Sequence, residues 1–182
     1  LASLGGGLYA VGNRTQSKAQ AFAAQYGILK VYERMEDVFT DPNVDIIYIS
    51  TPHNTHINYL LPALEAGKHV LCEKSITLNS EELMRAVEAA RAHDVVLAEA
   101  MTIYHMPIYR RLREIMASGS LGPLCMIQMN FGSFKEYDRK NRFFNRSLAG
   151  GAMLDIGVYA LSFVRYFLTS QPTEVLSQVK YA

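Results

Sequence analysis

The chain has 182 residues, of which 49% are hydrophobic and 19% charged, and its formal net charge is +1. This composition is ordinary for a globular chain that builds one full core, or one domain and part of another. The near-neutral charge, without a basic cluster, gives no electrostatic case for binding nucleic acid or an anionic membrane. We expect no membrane-spanning segment, because no apolar run reaches about 18 residues.

The two cysteines, Cys72 and Cys125, each lie in an apolar, strand-like run. Such cysteines are typical of buried free thiols, which predicts a reducing, cytoplasmic location, and no signal peptide is evident. Residues 1–7 are typical of a helix end with a glycine cap, and the last residues are typical of a strand. We therefore expect the chain to be incomplete at both ends.

The first part of the chain alternates between short apolar runs and helical spacing. Strands are predicted at residues 8–11, 45–50, 69–72 and 95–98, and helices at residues 17–26, 35–40, 55–66, 81–92 and 107–118. We expect the strands at 45–50 and 95–98 to be buried. Gly27 and Gly67 mark helix ends, and Asn79 with Glu82 forms a capping-box-like start. The alternation predicts an α/β fold with a doubly wound parallel sheet.

The pattern changes after Gly122-Pro123. Residues 124–134 are long and partly alternating, residues 153–168 form a strongly apolar helix, and residues 174–181 are strand-like. This change predicts a domain boundary near residues 120–123. Residues 1–122 would form one domain, and residues 123–182 the beginning of the next.

Two segments carry residue types suited to proton transfer. Glu73 and Lys74 directly follow an apolar strand, at the end where parallel sheets bind ligands. Asp155 and Tyr159 lie four residues apart, on one face of a helix that opens with glycines. A lysine, a carboxylate and a phenol are suitable groups to take a proton from a hydroxyl.

These segments resemble the signatures of the glucose–fructose oxidoreductase / inositol dehydrogenase (Gfo/Idh/MocA) family. Cys72-Glu73-Lys74-Ser75 resembles its EKP motif, with Ser75 in place of the proline. Residues 150–159 resemble its GGGxLxDxGxH motif, with Tyr159 in place of the histidine, which is similar to the glucose–fructose oxidoreductase and dimeric dihydrodiol dehydrogenase branches. The resemblance implies a Rossmann-type domain, followed by an α+β domain with a large, open, mostly antiparallel sheet.

The resemblance also implies catalytic roles. Tyr159 would donate and accept the proton, Lys74 would assist it and polarise the carbonyl, and Asp155 would orient the substrate. Lys74 itself is the alternative base, because a tyrosine needs a nearby cation to act as one at neutral pH. Without the resemblance, Lys74 would be a solvated loop residue, Asp155 a helix cap and Tyr159 a core aromatic. Serine 75 leaves the loop geometry open, since a cis bond costs about 3–4 kcal/mol before serine and about 0.5–1 before proline.

Cofactor contacts are expected at three strand ends, namely Asn13, Arg14, Lys18, Ser50, Thr51, Pro52, His53, Glu73 and Lys74. Donors and a cation at Asn13 and Arg14, where an acid would favour NAD, predict NADP as cofactor, with NAD as the alternative. Arg14 and Lys18 could equally be solvated surface charges. His56 completes the family's (T/S)-P-(N/H)-x-x-H pattern, although capping the next helix would explain it. Gly5-Gly6-Gly7 precede a strand, so they are not the phosphate-binding turn, and no metal site is expected.

The implied activity is transfer of a hydride between nicotinamide and a secondary alcohol of a sugar, polyol or cyclic diol. Segments similar to residues 141–145 line the substrate pocket in relatives. We expect a homodimer or homotetramer without nucleic-acid or membrane partners. Two rivals remain: a catalytically silent, cofactor-binding regulator on the same fold, and an enzyme with covalent or hydrolytic chemistry on a nucleotide.

Overall fold

The structure is a computed structural model that describes residues 7–179. The chain divides into two compact units, one ending at Ala100 and the other beginning at Met101. The domain boundary at residues 120–123 stays a prediction. The helix end predicted at the start of the chain lies mostly outside the described residues, as do the last residues of the strand predicted at 174–181.

Five short strands in the first unit form two parallel sheets. They are β1 (Ala10–Gly12), β2 (Lys30–Tyr32), β3 (Ile46–Ile49), β4 (His69–Cys72) and β5 (Leu97–Glu99). Strand β1 pairs with β2, and the other three pair in the order β3-β4-β5. The prediction of a parallel sheet is confirmed. Strand β2 was missed, because three residues with one exposed lysine give almost no periodicity.

Four helices connect the strands of this unit: α1 (Gln16–Tyr26), α2 (Asp37–Thr40), α3 (His56–Glu65) and α4 (Ser80–Ala92). Gly27 ends α1 with a φ of 65°, a left-handed conformation that glycine adopts without steric cost. Asn79 caps α4, since its Oδ1 accepts from the amide of Glu82 at 2.8 Å. The Glu82 carboxylate in turn accepts from the amide of Leu78 at 3.0 Å.

The core of the first unit is a cluster of apolar side chains between the helices and β3 and β4. Its most buried members include Leu60, Ala63, Leu64, Val70, Cys72 and Ala86. Strand β3 corrects the expectation of a fully buried strand, because Ile47 and Ile49 are buried whereas Ile46 is 64% and Tyr48 50% exposed. Strand β5 is only half-buried along its length. The side chains of β3 therefore alternate between exposed and buried, although all four residues are apolar or aromatic.

Asp41 is a buried hydrogen-bonding centre near the amino-terminal side of these strands. Its carboxylate accepts from Lys30 Nζ at 2.5 Å, Tyr32 Oη at 2.7 Å and Tyr9 Oη at 3.2 Å. The amide of Asn43 donates to the same carboxylate at 2.8 Å. The hydrogen bond from Lys30, then that from the Asn43 amide, hold the pKa of Asp41 well below its usual range. The charge of Asp41 thus connects the start of β2 to the loop before β3.

The second unit is helical where its secondary structure is regular. A 3-10 turn at Thr102–His105 precedes α5 (Pro107–Ala117), and a π-helical turn at Met153–Gly157 leads into α6 (Val158–Phe167). Aromatic rings join these elements: the ring centroids of Tyr104 and Tyr166 are 5.4 Å apart, and those of Tyr109 and Phe163 are 5.5 Å apart. The apolar helix predicted at 153–168 is confirmed, apart from its π-helical first turn.

The strands predicted at 124–134 and 174–181 do not form in the described part of the second unit, residues 101–179. A strand needs a hydrogen-bonded neighbour, and no described segment pairs with either run. Their apolar side chains stay exposed, with Met126 at 78% and Phe134 at 96%. The expectation of a buried Cys125 is wrong for the same reason: its thiol is exposed, whereas that of Cys72 is buried.

One helical run corrects the expectation about membrane segments. Arg146–Phe167 spans 22 residues and contains a stretch of 18 with a mean hydropathy of 1.5, so it is long and apolar enough, by length and composition, to cross a membrane. A single helix of this kind is weak evidence for a span, and this one carries Asp155 and Arg165.

Candidate functional site

The carboxyl ends of β3 and β4 lie side by side. Ile49 is paired with Cys72, and the amide of Glu73 donates to the carbonyl of Ile49 at 2.8 Å. The segments that follow, Ser50-Thr51-Pro52 and Glu73-Lys74-Ser75, therefore leave the sheet at the same edge. This is the edge at which open parallel sheets bind ligands.

Glu73 is hydrogen-bonded to a tyrosine that sequence reasoning did not select. Tyr48 Oη donates to Glu73 Oε1 at 2.5 Å, and the backbone amide of Lys74 donates to Glu73 Oε2 at 3.2 Å. Burial first, and then the hydrogen bond to Glu73, raises the pKa of Tyr48 to about 12. Tyr48 thus stays a neutral donor that holds the Glu73 carboxylate. The following peptide bond, Lys74–Ser75, is cis.

His56, an open choice in the sequence, is fully buried at the start of α3. Its Nε2 lies 2.8 Å from the carbonyl oxygen of Thr51, and its Nδ1 lies 2.8 Å from that of Ser75. His53 is also buried, with its ring centroid 5.8 Å from that of His56. The capping explanation for His56 is wrong, because Thr55 is the cap residue and makes no side-chain cap bond.

The loop after β4 is held on its other side by β5. The amide of Ile76 donates to Glu99 Oε1 at 2.9 Å, and the amide of Ala100 donates to the carbonyl of Cys72 at 2.7 Å. Glu99 is a second functional candidate that sequence reasoning missed. A lone glutamate at the end of a strand carries no signal until the register of the strands is known.

The segment after β1 brings polar and charged side chains to the start of α1. Asn13 Oδ1 accepts from the amide of Thr15 at 2.8 Å, which shapes the turn into α1. Arg14 and Lys18 are both exposed, one before this helix and one in its first turn. A guanidinium, an ammonium and the amides of a helix start form a donor set suited to a phosphate.

The second unit contributes Asp155 and Tyr159, both half-buried. Asp155 lies in the π-helical turn, where the amide of Val158 donates to the carbonyl of Met153, five residues back. Tyr159 is the second residue of α6, and its ring meets that of Phe131 edge to face, with centroids 6.0 Å apart. The expected face shared at α-helical spacing is thus modified by a wider turn, a feature frequent at functional sites.

A backbone fold around two glycines leads into this turn. A Cβ on Gly150 would lie 2.4 Å from the carbonyl oxygen of Arg142 and 2.7 Å from that of Asn145. Gly151 has a φ of 121°, and its amide donates to the carbonyl of Phe143 at 2.9 Å. Only glycine permits this close approach at position 150, so the loop 141–151 is held against the start of the helix.

This loop borders an open pocket of about 270 Å³ beside Asp155. Phe143 and Phe144 line it, together with Phe134, Lys135 and Gly151. Phe143 and Phe144 of the segment 141–145 thus line a pocket, and the use of this pocket for the substrate stays a prediction. Lys135 Nζ lies 4.0 Å from the ring centroid of Phe143, so the wall combines aromatic faces with a cation.

Between residues 7 and 179, no group of three His, Cys, Asp or Glu side chains is arranged to hold a metal ion. The predicted site residues fall into three groups: Asn13, Arg14 and Lys18 follow β1, residues 50–53 with Glu73 and Lys74 follow β3 and β4, and Asp155 with Tyr159 lies in the second unit. Thr51, Glu73, Lys74 and Ser75 come together at one sheet edge of the first unit, whereas Asp155 and the pocket belong to the second.

Comparison with known proteins identifies related chains. Trans-1,2-dihydrobenzene-1,2-diol dehydrogenase of Sus scrofa is 38% identical over 170 residues, which are 93% of this chain and 50% of that protein. D-xylose 1-dehydrogenase (NADP(+)) of Hypocrea jecorina is 37% identical over 168 residues, 84% of this chain and 43% of that protein. The chain spans about half the length of the curated relatives it matches.

A solved structure has the same fold. Aldose-aldose oxidoreductase from Caulobacter crescentus, complexed with glycerol, matches with a TM-score of 0.74 and 27% identity, over 87% of this chain and 48% of that one. Residues 5–101 match the model of an oxidoreductase family with an NAD-binding Rossmann fold. Residues 109–182 match the GFO/IDH/MocA C-terminal domain. The chain therefore belongs to the Gfo/Idh/MocA oxidoreductase family.

Proposed function

We propose that this chain forms part of an NADP-dependent oxidoreductase that acts on a secondary alcohol or carbonyl of a sugar, polyol or cyclic diol. The observation that carries the proposal is the shared edge after β3 and β4, where Thr51 and Lys74 follow paired strands. Family membership and relatives named as dehydrogenases support this reading.

The proposed cofactor contacts lie at this edge and after β1. Arg14 and Lys18 would hold the 2′-phosphate of NADP, while residues 50–53 would lie along the cofactor between its two ends. The nicotinamide, when bound, supplies the hydride chemistry. Tyr48 and the amide of Lys74 hold the Glu73 carboxylate, which would place a fixed negative charge beside the cofactor.

Lys74, Asp155 and Tyr159 are the proposed catalytic residues. Tyr159 would exchange the proton of the reacting hydroxyl, Lys74 would polarise the carbonyl oxygen, and Asp155 would accept a hydrogen bond from a neighbouring substrate hydroxyl. Lys74 as the base is the competing assignment. The pocket beside Asp155 supports a ring-shaped substrate, because aromatic side chains pack well against the apolar face of a ring.

The test is a panel of aldoses, polyols and cyclic diols, offered to the full-length protein with NADP or NAD and followed by nicotinamide absorbance. We expect reduction of NADP with at least one member of the panel. Tight NADP binding without turnover across the panel would instead favour the catalytically silent regulator. Hydrolysis of a glycoside would favour the remaining rival, an enzyme with covalent or hydrolytic chemistry.

The cofactor preference has its own test. Arg14→Ala removes a charged donor and should weaken NADP binding about 10- to 100-fold, while NAD binding stays unchanged. Arg91→Ala, at an exposed position near the end of α4, serves as the matched control. Equal losses for both cofactors would contradict the assignment to the 2′-phosphate.

Assembly and location complete the proposal. A homodimer or homotetramer would cover apolar side chains that the second unit exposes, such as Met126 and Phe134. A cytoplasmic location suits two free cysteines, one of them exposed. Sedimentation of the full-length protein tests the first, and fractionation of cells that express it tests the second.

A further inference from the structure

His56 is in contact with the loops that follow two neighbouring strands. The residue opens α3 and has 0% of its surface exposed. Its Nε2 faces the carbonyl oxygen of Thr51, and its Nδ1 faces that of Ser75, each at 2.8 Å. Thr51 is a proposed cofactor contact, and Ser75 directly follows the proposed catalytic Lys74. A single buried ring therefore bridges the cofactor loop and the lysine loop.

The chemistry of the contacts determines the hydrogen-bonding role of the His56 ring. A carbonyl oxygen only accepts, so each contact is a hydrogen bond when the facing nitrogen carries a proton. The ring therefore donates to Thr51, to Ser75 or, with two protons, to both. Carbonyl groups taken out of water need such a donor, because leaving them without one costs free energy. Both loops thus depend on the same side chain.

A second brace acts on the lysine loop alone. Glu99, at the end of β5, accepts from the amide of Ile76 at 2.9 Å. The backbone after Lys74 is thus held from the β3 side by His56 and from the β5 side by Glu99. The loop after β3 has a brace of its own, since Thr55 Oγ1 donates to the carbonyl of Pro52 at 2.7 Å. His56 links the two loops, each of which is also held by a hydrogen bond of its own.

We propose that His56 is a positioning residue that sets the cofactor loop at Thr51 and the lysine loop at Ser75 in register with each other. It works through the backbone carbonyls of Thr51 and Ser75, and the carbonyl oxygen of Ile76 also lies 3.3 Å from Nδ1. The inference rests on the proposed function, since it assigns His56 to the same site. It separates two tasks: the Nε2 contact serves cofactor binding, and the Nδ1 contact serves the turnover that depends on Lys74.

Two amide substitutions dissect the ring. The side-chain amide of His56→Asn reaches roughly as far as Nδ1, and that of His56→Gln reaches roughly as far as Nε2. In the full-length protein, His56→Asn should keep kcat within a few fold and weaken NADP binding about 10-fold. His56→Gln should keep NADP binding and lower kcat about 10- to 100-fold, because a small misplacement of a reacting group costs that much. His56→Leu should lose both.

Leu60→Ala is the matched control. Leu60 is fully buried in the same helix, so its truncation lowers stability but removes no hydrogen bond to either loop. At a temperature where all variants are folded, the Leu60→Ala protein should keep its NADP affinity and its kcat. Equal losses of affinity and kcat in the Asn and Gln variants would overturn the division of tasks. Wild-type values in the His56→Leu protein would overturn the whole proposal.

A readout without turnover keeps this test separate from that of the proposed function. Hydrogen exchange of the peptide that contains Ile76 and Thr77 should accelerate about 10-fold in His56→Gln and not in His56→Asn. NADP affinity is measured by calorimetry. If the wild-type protein binds NADP but turns over no substrate, the proposed activity fails, while exchange and affinity still decide the role of His56. Unchanged exchange in both variants would refute it.

Discussion

The two compact units bury their apolar side chains to very different extents. In the first unit, a cluster that includes Leu60, Leu64 and Val70 lies between parallel strands and helices. In the second, Met101, Ile103 and Phe167 are the buried hydrophobic side chains among its described residues, and long runs such as 124–134 are largely exposed. Both units are rich in apolar residues, so composition does not explain the difference.

Connectivity explains it. In the first unit, β3, α3, β4, α4 and β5 follow one another, and each strand pairs with one reached through a single helix. Strands that pair with each other, and the helix that connects them, are therefore close in sequence. The second unit joins helices through aromatic rings, and its strand-like runs have no neighbour among the described residues. Local sequence fixes a structure where the partner is also local.

The largest expected effect tests whether the two units serve one reaction. Lys74→Met in the first unit and Tyr159→Phe in the second should each lower kcat/KM about 10²- to 10⁴-fold, because each removes a group from the same proton transfer. The double variant should lose little more than the worse single one. Steady-state kinetics on all three full-length variants measure this.

Lys140→Met and Tyr26→Phe, at exposed positions, are controls and should retain wild-type kcat/KM. Additive losses would mean that the two residues act in separate steps. Near-normal turnover of Tyr159→Phe would show that Tyr159 is only a packing residue and would assign the proton transfer to Lys74.

The next effect concerns the charged centre of the first unit. Asp41→Asn should lower the stability of the full-length protein at pH 7, because Lys30 loses its ion pair and two tyrosine hydroxyls lose a charged acceptor. Since the folded pKa of Asp41 is lowered, its contribution is present above the unfolded value of about 3.9 and is lost as pH falls below it.

The stability difference between wild type and Asp41→Asn should therefore shrink from pH 5 towards pH 2. Urea unfolding at several pH values measures this difference. Asp94→Asn is the control, because Asp94 is exposed with a φ of 53°, a conformation that asparagine also adopts. A difference that stays constant down to pH 2 would show that packing, and not charge, explains the loss.

A smaller effect sharpens the comparison from the side of the second unit. Gly150→Ala should cost about 1–3 kcal/mol or displace the loop, because its Cβ would overlap the carbonyl oxygens of Arg142 and Asn145. Gly132→Ala meets no atom within 4 Å and should change stability by less than about 0.5 kcal/mol. Thermal unfolding compares the two variants, and equal stabilities would mean that the loop 141–151 is not tightly packed.

The smallest effect compares two helix starts within the first unit. Asn79→Ala removes the bond to the amide of Glu82 and should cost about 1 kcal/mol. Thr15→Ala, at a cap residue without a side-chain cap bond, should cost clearly less. Urea unfolding of both variants decides between them. Equal costs would show that the cap at Asn79 contributes little beyond local conformation.

The sequence was sufficient where the signal is local. Gly27, the cap at Asn79 and the strand at His69–Cys72 follow from residue type and spacing, as does the place of Lys74 just after that strand. It was not sufficient where the partner is distant. The contact of His56 with Ser75 crosses 19 residues, and that of Glu99 with Ile76 crosses 23.

Two further misses have the same cause. The π-helical turn at Met153–Gly157 follows the closely packed Gly150 and contains Gly157, and periodicity does not encode such packing. The exposure of Cys125 depends on whether residues 124–134 find a strand partner, and such pairing is not a property of the run itself. Residue type identified the candidate groups, whereas register decided which of them meet.

The contrast between the two thiols offers a way to observe each unit by chemical labelling. Cys72 is fully buried in β4, and burial raises its pKa to about 12, so it reacts with an alkylating reagent only when the sheet opens. Cys125 is exposed and reacts from the folded state. In a chain with only these two cysteines, a fast and a slow labelling phase would report the second and the first unit separately. The rate of the slow phase would then measure how often the parallel sheet opens, without any denaturant.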